Sequence, residues 1–308
     1  MFINDLPIGI NSMSFLFADD TKMYRVIESF TADCDKLQSD INKLFDWSCK
    51  WSLKFHPDKC KVMSVNPRQN TTQDYAYVMP DYEGGTVQLK YTESEKDIGV
   101  TFQTNMCFGV HIQGQVNKAN QIVGLIRRSF RFLDSDTFVL LFKALVRPHL
   151  EYACSVWCPH FKKDIDLLEN VQRRASKMLP GLREKSYEER LRTLKLPTLR
   201  YRRLRGDMIE VYKICHEIYD RRVTGGFLPY SDNVNTRGNS FKLAKRRCRL
   251  DIRKFSFAHR VVNIWNDLSD HIVTSNNVNT FKNRLDAYWS HQPVKFNHDC
   301  DYVYNCKA

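Results

Sequence analysis

Two adjacent carboxylates, Asp19 and Asp20, stand between two stretches that favour extended backbone. An apolar run at residues 14–17 precedes them, and residues 21–27 include Thr, Met, Tyr, Val and Ile. Because aromatic and β-branched residues favour strands and Asp tolerates turns, this pattern predicts a β-hairpin with two negative charges at its turn. Adjacent carboxylates of this kind suit a hard divalent cation. Asp-Asp pairs are also common in ordinary exposed turns, so the spacing alone leaves both interpretations open.

The segment after the hairpin is predicted to form a helix that packs on it. Residues 32–50 carry apolar side chains near a 3.6-residue period, with Thr31 as the expected N-cap. The helix ends near two tryptophans, Trp47 and Trp51. A short strand at 53–55, a proline turn at 56–59 and a returning strand at 60–65 are predicted to follow it.

These blocks are similar in order and separation to the palm of reverse transcriptases from non-LTR, jockey-like retrotransposons. Phe17-Ala18-Asp19-Asp20 with the following threonine resembles that family's motif C. The run Leu-Lys-Phe-His-Pro-Asp-Lys-Cys-Lys-Val-Met at 53–63 resembles its motif D. An isolated Asp-Asp is a weak signal, whereas the two blocks together are a specific one.

The resemblance implies a role for each matching residue in RNA-directed DNA synthesis. Asp19 is expected to bind catalytic Mg²⁺, with Asp20 assisting it or shaping the turn. Phe17 and Ala18 are expected to lie beside the nucleotide, and Lys59 to neutralise developing phosphate charge. The implied cofactor is Mg²⁺, and the implied partners are an RNA template and a DNA primer.

Residues 97–102 have strand composition and resemble the family's motif E, the primer grip. Ile98-Gly99-Val100 stands where the family usually has Leu-Gly-Val. Gly99 is expected to allow a close approach of the backbone to a ligand, and its alternative interpretation is a β-bulge. The preceding polar residues, 66–90, are predicted to form a loop or a loose hairpin.

From Val110 onward the apolar residues recur at helical spacing. The pattern predicts helices near 112–126, 138–145 and 165–179, the second of them stopped by Pro148, and a further helix at 207–219. Basic residues lie on their outer faces and ends, where they could bind phosphates without reading bases, as in a thumb that closes on a duplex. A solvated basic face is the alternative.

Charge is distributed unevenly along the chain. The formal net charge is +12, and residues 117–205 hold 20 Lys and Arg against 9 Asp and Glu, whereas residues 1–66 hold 8 against 9. Residues 237–260 hold 9 against 1. This basic excess indicates a polyanionic partner, with nucleic acid favoured over an acidic membrane face.

The expected fold class is α+β, with a partial polymerase palm sheet and a packed helix at 1–108. A mostly helical, basic, thumb-like domain at 109–224, a linker at 225–240 and a small basic and aromatic C-terminal segment at 241–308 complete the prediction. Aromatic residues between 255 and 268 could stack on bases, but at helical spacing they are more often core.

Only 18 residues precede Asp19, too few for the fingers and upstream catalytic strand of the family. Two metal ions roughly 3.5–4 Å apart need several converging carboxylates. Three hypotheses follow: a polymerase domain, a non-catalytic relic that binds nucleic acid, and a basic helical scaffold whose Asp-Asp is merely a turn. The first hypothesis describes the family from which the chain is expected to descend. The second is the one expected of this chain alone, which should bind Mg²⁺ weakly and extend primers negligibly.

The ten cysteines and the absence of long apolar runs bear on location. No stretch approaches the roughly 18 apolar residues of a membrane span, and the N-terminus lacks a signal-peptide pattern, so we expect an intracellular protein, in cytoplasm and nucleus as a ribonucleoprotein. The cysteines are expected to be reduced. A structural zinc site, from Cys154 and Cys158 or from His298, Cys300 and Cys306, is the less favoured alternative.

Overall fold

The computed structural model describes residues 2–65, 75–231 and 239–304. The chain divides into two compact units. Unit 1 comprises residues 1–97 and 102–106, and unit 2 comprises residues 98–101 and 107–308. About 51% helix and 11% strand, with the strands in small sheets, confirm the expected α+β class.

Unit 1 contains one long helix and short strands. The elements are β1 (Met13–Phe17), β2 (Asp20–Tyr24), α1 (Phe30–Trp51), β3 (Lys61–Val62), β4 (Val78–Pro80), β5 (Thr86–Gln88), β6 (Lys90–Tyr91) and β7 (Ser94–Asp97), and β8 (Val100–Gln103) follows at the division between the units. Strands β1 and β2 form an antiparallel hairpin, β4 pairs with β5 in a second antiparallel ladder, and β3 and β6 pair in parallel.

Helix α1 has the apolar face that the 3.6-residue period predicts, but this face packs mainly against β4, whereas the hairpin was the predicted partner. Of the hairpin, Met23 packs against the same core. The core of this unit joins Cys34 and Ile41 of α1 with Tyr77, Met79 and Leu89. The predicted N-cap at Thr31 is wrong, because α1 begins at Phe30 after Ser29.

Two predicted strands of unit 1 need correction. Residues 53–55 form no strand, because the Leu53 backbone N–H caps α1 through Ser48 O (3.0 Å) and the Phe55 N–H donates to the Tyr82 hydroxyl (2.7 Å). The returning strand is limited to β3, whose partner is β6 in parallel rather than residues 53–55. The proline turn is confirmed as a 3₁₀ turn at Pro57–Lys59. Of the predicted loop, residues 66–74 lie outside the described part.

Unit 2 is helical after β8. Its helices are α2 (Gly109–Ser129), α3 (Ser135–Leu141), α4 (Arg147–Glu151), α5 (Cys154–Trp157), α6 (Lys162–Ser176), α7 (Tyr187–Leu194), α8 (Leu199–Cys215), α9 (Arg221–Thr224), α10 (Asp251–Lys254), α11 (Phe257–Asn266), α12 (Asp270–Val273) and α13 (Val278–Tyr288). Residues 110–220, all of them described, contain no strand, which confirms the predicted change to helical structure.

Helices α2 and α6 pack on each other through the predicted apolar faces, where Ile112, Val116, Leu168 and Val171 are buried. Pro148, however, does not stop the second helix. A π-helical segment, Phe142–Val146, links α3 to α4, and Pro148 lies in the first turn of α4. The wider π turn accommodates a residue that has no N–H to donate.

The C-terminal residues share a core with α8 and do not form a separate small unit. Helices α11 and α13 both pack on α8, and Tyr212, Trp265 and Phe281 are fully buried between them. A β-bridge pairs Tyr230 with Leu243 across the expected linker at 225–240. Residues 232–238 of that linker are outside the described part.

Of the two interpretations of the aromatic residues at 255–268, the core interpretation holds for Trp265, which is fully buried. Its indole N–H donates to the Phe241 carbonyl oxygen at 2.8 Å, so its polar atom is also used internally. Across the described ranges, no helix is long and apolar enough to cross a membrane.

Candidate functional site

The predicted hairpin forms and presents both acids at its tip. Phe17 and Asp20 are the last paired residues of the ladder, so Ala18 and Asp19 make a two-residue turn. Ala18 has φ +53°, in the left-handed region that a residue with a side chain rarely adopts. Tight hairpin turns require positive φ at a central residue, and the turn therefore carries a local strain next to Asp19.

Asp19 and Asp20 are both exposed. Among the described residues, no side chain forms a hydrogen bond or ion pair with either carboxylate, and no third His, Cys, Asp or Glu joins them in a potential metal-binding group. Mg²⁺ commonly keeps several waters and takes one or two carboxylates together with substrate phosphates. The tip therefore fits one such ion, whereas two ions need more carboxylates than the described part of unit 1 supplies there.

Phe17 lies on an exposed apolar face of the hairpin. Met13, Phe15 and Phe17 alternate along β1 and are each more than half exposed, and Phe15 stacks on Tyr24 of β2 with ring centroids 5.8 Å apart. This alternation follows from the two-residue period of a strand, which sends every second side chain to the same side. The expected place of Phe17 and Ala18 beside a nucleotide stays a prediction.

A buried carboxylate on α1 positions the start of the hairpin. Asp40 has no exposed surface and accepts hydrogen bonds from the Asn11 and Ser12 backbone N–H groups and from the Ser12 hydroxyl, the latter two at 2.7 Å. Lys43 donates to it as well, at 2.9 Å. Although burial raises the pKa of Asp40, these hydrogen bonds outweigh it and lower the pKa.

Sequence reasoning missed Asp40, although a signal was present. Asp40 lies three residues after Leu37, next to Ile41 and four before Leu44, so it interrupts the apolar stripe of α1. A carboxylate on the buried face of a helix must find partners inside the fold. Here those partners are the two residues that immediately precede β1.

A second carboxylate anchors the connection between β2 and α1. Asp33 Oδ2 accepts from the backbone N–H of Ser29 at 3.0 Å and of Glu28 at 3.1 Å, and Lys36 donates to Oδ1 at 3.2 Å. The Ser29 backbone N–H, followed by that of Glu28 and the Lys36 side chain, lowers the pKa of Asp33 to about 2. Asp33 and Asp40 therefore hold the hairpin against α1 from both ends.

Among the described residues, Lys59 forms no hydrogen bond or ion pair with Asp19. Lys59 is exposed at the end of the 3₁₀ turn Pro57–Lys59, and within the described ranges its side chain has no hydrogen-bond or ion-pair partner. On β2 the basic neighbour of the acids is instead Lys22, which is ion-paired with Asp97 of β7. The predicted role of Lys59 is not tested by this arrangement.

Gly99 belongs to unit 2, and the local structure explains why a glycine stands at this position. Ile98 and Gly99 have φ +42° and +83°, so they form a tight two-residue turn between β7 and β8 rather than a β-bulge. A Cβ on Gly99 would lie 3.1 Å from the Tyr152 ring, whose hydroxyl donates to the Ile98 carbonyl oxygen at 3.0 Å. The close approach that the glycine permits is thus made by a side chain of the same unit.

Unit 2 also carries basic side chains that face solvent. Exposed Lys and Arg without an ion-pair partner in the described ranges occur on α2 and just after it, on α6 and the turn after it, and between residues 245 and 254. On these segments they are Lys118, Arg127, Arg128, Arg131, Lys163, Arg174, Lys177, Arg183, Lys185, Lys245, Arg246, Arg247, Arg249, Arg253 and Lys254, and elsewhere in the unit Lys143 and Lys195 are of the same kind. Arg173, predicted to lie on the outer face, is half-buried over the Tyr187 ring.

The arginines of the basic run at 199–205 are half-buried or buried, and three of them are ion-paired within the protein. Arg202 is paired through two nitrogens with Glu151, and Arg205 makes two hydrogen bonds, of 2.6 and 2.7 Å, to Asp286. Arg200 pairs with Asp301, and Arg203 is buried. A helix at the centre of unit 2 must place some of its residues inward, and α8 places arginines there.

His298 lies in a cluster different from the one the sequence indicated. Its Nε2 is 3.3 Å from Asp166 Oδ1 and 3.8 Å from Asp299 Oδ2, and Lys162 also approaches Asp299, at 3.4 Å. These three ligand-type residues are the only potential metal-binding group in the described part of the chain. Cys306 is outside that part, and the nine described cysteines are free thiols.

Comparison with protein-family models, with curated proteins and with solved structures gives no match to this chain.

Proposed function

We propose that the chain is a reverse-transcriptase-derived protein of the non-LTR retrotransposon type that binds RNA–DNA duplex and by itself synthesises negligible DNA. The observation that carries the proposal is the motif Phe17-Ala18-Asp19-Asp20 on a tight hairpin turn with both carboxylates exposed. A merely structural turn does not require two adjacent charges, whereas a metal and phosphate site uses them.

Duplex binding is supported by the free basic side chains of unit 2. Lys and Arg that already have a carboxylate partner must lose it before binding a phosphate, whereas exposed, unpaired ones exchange only water and counterions. In the described part of unit 2, exposed Lys and Arg side chains without an ion-pair partner lie on two helices and on the segment 245–254. Such contacts recognise the charge of the backbone and no base sequence.

Negligible synthesis follows from the number of carboxylates. Asp19 and Asp20 suit a single Mg²⁺ whose remaining ligands are water and phosphate oxygens. Bound there, the ion would neutralise phosphate charge. Nucleotidyl transfer with two ions needs further carboxylates opposite the hairpin tip, and none joins the two acids within the described ranges.

The binding experiment is fluorescence anisotropy of a labelled RNA–DNA hybrid across a salt series. We expect the affinity to fall steeply from 50 to 200 mM salt, by about 10³-fold or more if six phosphates are contacted. Arg174→Glu together with Lys177→Glu should weaken binding, whereas Arg221→Glu, an exposed arginine paired with Glu217, is the control and should have a smaller effect. Binding that does not depend on salt would support the scaffold hypothesis instead.

The catalytic experiment is RNA-templated primer extension with Mg²⁺, combined with Mn²⁺ binding followed by electron paramagnetic resonance. We expect weak ion binding that Asp19→Asn removes, a milder loss in Asp20→Asn and no loss in Asp46→Asn, which is an exposed carboxylate on α1. Efficient extension by the 308-residue chain, or unchanged ion binding in Asp19→Asn, would contradict the proposal.

A further inference from the structure

Helix α6 and the C-terminal segment bring three side chains of metal-ligand type together within unit 2. Asp166 lies on α6, and His298 and Asp299 follow the 3₁₀ turn Pro293–Lys295. One ligand atom from each of the three residues lies within 4.8 Å of the other two. The group therefore joins two parts of the chain that are distant in sequence, and it contains none of the residues of the hairpin tip.

The separations between the ligand atoms are close to those around a single tetrahedral ion. His298 Nε2 is 3.3 Å from Asp166 Oδ1 and 3.8 Å from Asp299 Oδ2. A tetrahedral zinc ion with bonds of about 2.0–2.2 Å holds its ligand atoms roughly 3.3–3.6 Å apart. The first separation matches this spacing. The second exceeds it slightly, at Asp299, whose side chain is 55% exposed and can adjust.

His298 is buried and held in place by contacts that leave its ring nitrogens unused. The residue is 5% exposed, and within the described ranges neither ring nitrogen forms a hydrogen bond, because the approaches to the two carboxylates lack hydrogen-bond geometry. Arg200 of α8 fixes the backbone by donating to the carbonyl oxygens of His298 at 2.9 Å and of Cys300 at 3.0 Å. Since buried polar atoms normally have a partner, a ligand for the imidazole is expected.

The charges around His298 favour a cation. Two carboxylates face the imidazole, and the only other cationic side chain paired with them in the described part is Lys162. Lys162 is 80% exposed and approaches Asp299 Oδ1 at 3.4 Å, so Oδ2 of the same carboxylate is left facing His298. An exposed pair of this kind contributes little and is easily rearranged. A divalent cation would neutralise both carboxylates at once.

We propose that Asp166, His298 and Asp299 bind a zinc ion, with water as the fourth ligand. Imidazole nitrogen and carboxylate oxygens are ligands that zinc uses in proteins, and three protein ligands with one water complete a tetrahedron. Mg²⁺ and Ca²⁺ prefer oxygen ligands alone, so the imidazole favours zinc over them. The ion would tie α6 to the C-terminal segment and stabilise unit 2. The inference is independent of the function of the hairpin.

The first experiment is isothermal titration calorimetry of zinc chloride into the metal-free, reduced full chain. The unmodified chain should show saturable binding, weakened at least about 10-fold in His298→Gln and in Asp166→Asn. His291→Gln replaces an exposed histidine and should bind as the unmodified chain does. Asp166 is only half-buried and Asn has nearly the same size, so Asp166→Asn keeps the test valid if His298→Gln does not fold.

The second experiment identifies the ligands, because the nine described cysteines are free thiols that could also take zinc. X-ray absorption of the chain loaded with one equivalent of zinc separates nitrogen and oxygen ligands, at about 2.0–2.1 Å, from thiolate sulfur, at about 2.3 Å. A nitrogen and oxygen shell that is lost in Asp166→Asn supports the site. A sulfur shell, or zinc binding that is equally tight in the unmodified chain and Asp166→Asn, would show that the three residues form only an ion pair.

Discussion

Two basic runs of unit 2 have similar compositions and opposite environments. Residues 200–205 contain four arginines, of which three are ion-paired and the fourth is buried. Residues 245–254 contain six exposed Lys and Arg, and within the described ranges none has an ion-pair partner. The first run therefore contributes to the stability of unit 2, and the second is available to a polyanion. A count of charges along the sequence treats the two alike.

The aspartates of unit 1 show the same contrast. Asp33 and Asp40 are held by backbone N–H groups at both ends of the hairpin, whereas Asp19 and Asp20 at its tip are exposed and unpaired in the described part. Carboxylates with internal partners should matter for folding, and those without them for binding. Substitutions of either kind test this division.

The largest effect is expected at Asp207, the buried carboxylate that is paired with Arg260. Asp207→Asn leaves the Arg260 guanidinium group without its counter-charge, which should destabilise the protein by about 3–5 kcal/mol. Urea unfolding in phosphate-free buffer measures this change. Asp286→Asn, which breaks the half-exposed pair with Arg205, is the control and should lose about 1 kcal/mol or less. Equal losses in the two variants would show that burial does not separate these pairs.

The next effect is expected at Asp40. Asp40→Ala removes the acceptor of the Asn11 and Ser12 N–H groups, and the loss of these charge-assisted hydrogen bonds should destabilise unit 1 by about 2–3 kcal/mol. Thermal unfolding and limited proteolysis near the hairpin would detect it. Asp46→Ala on the same helix is exposed, and Asp19→Asn is at the tip, so both should stay within about 0.5 kcal/mol of the parent.

The exposed basic run should affect binding with almost no effect on stability. Replacing Arg246, Arg247 and Arg249 with Gln should reduce the slope of log affinity against log salt by up to about 0.9 for each phosphate that the variant no longer neutralises. The matched control is Arg221→Gln with Arg222→Gln, since both arginines are exposed but paired. A loss of stability in the triple variant, or an equal loss of affinity in the control, would remove the distinction between the two runs.

Local patterns predicted the elements whose partners are near in sequence. The apolar run at residues 14–17, the two acids and the β-prone residues after them were enough for the hairpin, and the 3.6-residue period was enough for α1, α2 and α6. Interactions between distant residues were missed. Asp40 accepts hydrogen bonds from Asn11 and Ser12, which lie 29 and 28 positions before it, and Arg202 pairs with Glu151, 51 positions before it. Ion pairing and shared cores depend on the tertiary arrangement, which periodicity does not contain.

The smallest effect is a pH dependence that should come from Asp33. Its pKa is lowered to about 2 in the folded chain, mainly by the Ser29 backbone N–H, whereas an unfolded Asp has a pKa of about 3.9. A lowered folded pKa contributes stability that is fully present above the unfolded value and is lost as the pH falls through the folded one. Asp33 should therefore stabilise the chain fully above about pH 4 and progressively less toward pH 2.

The measurement compares the free energy of unfolding of the parent with that of Asp33→Asn, by urea unfolding from about pH 6 to about pH 3 at constant ionic strength. The difference in unfolding free energy should be constant above about pH 4.5 and should shrink below it, because the unfolded parent then takes up a proton that the folded parent does not bind. Asp46→Asn, at an exposed position on α1, should show no such trend. A difference that grows on acidification would mean that the folded carboxylate is protonated before the unfolded one, and that the hydrogen bonds to Ser29 and Glu28 do not stabilise its charge.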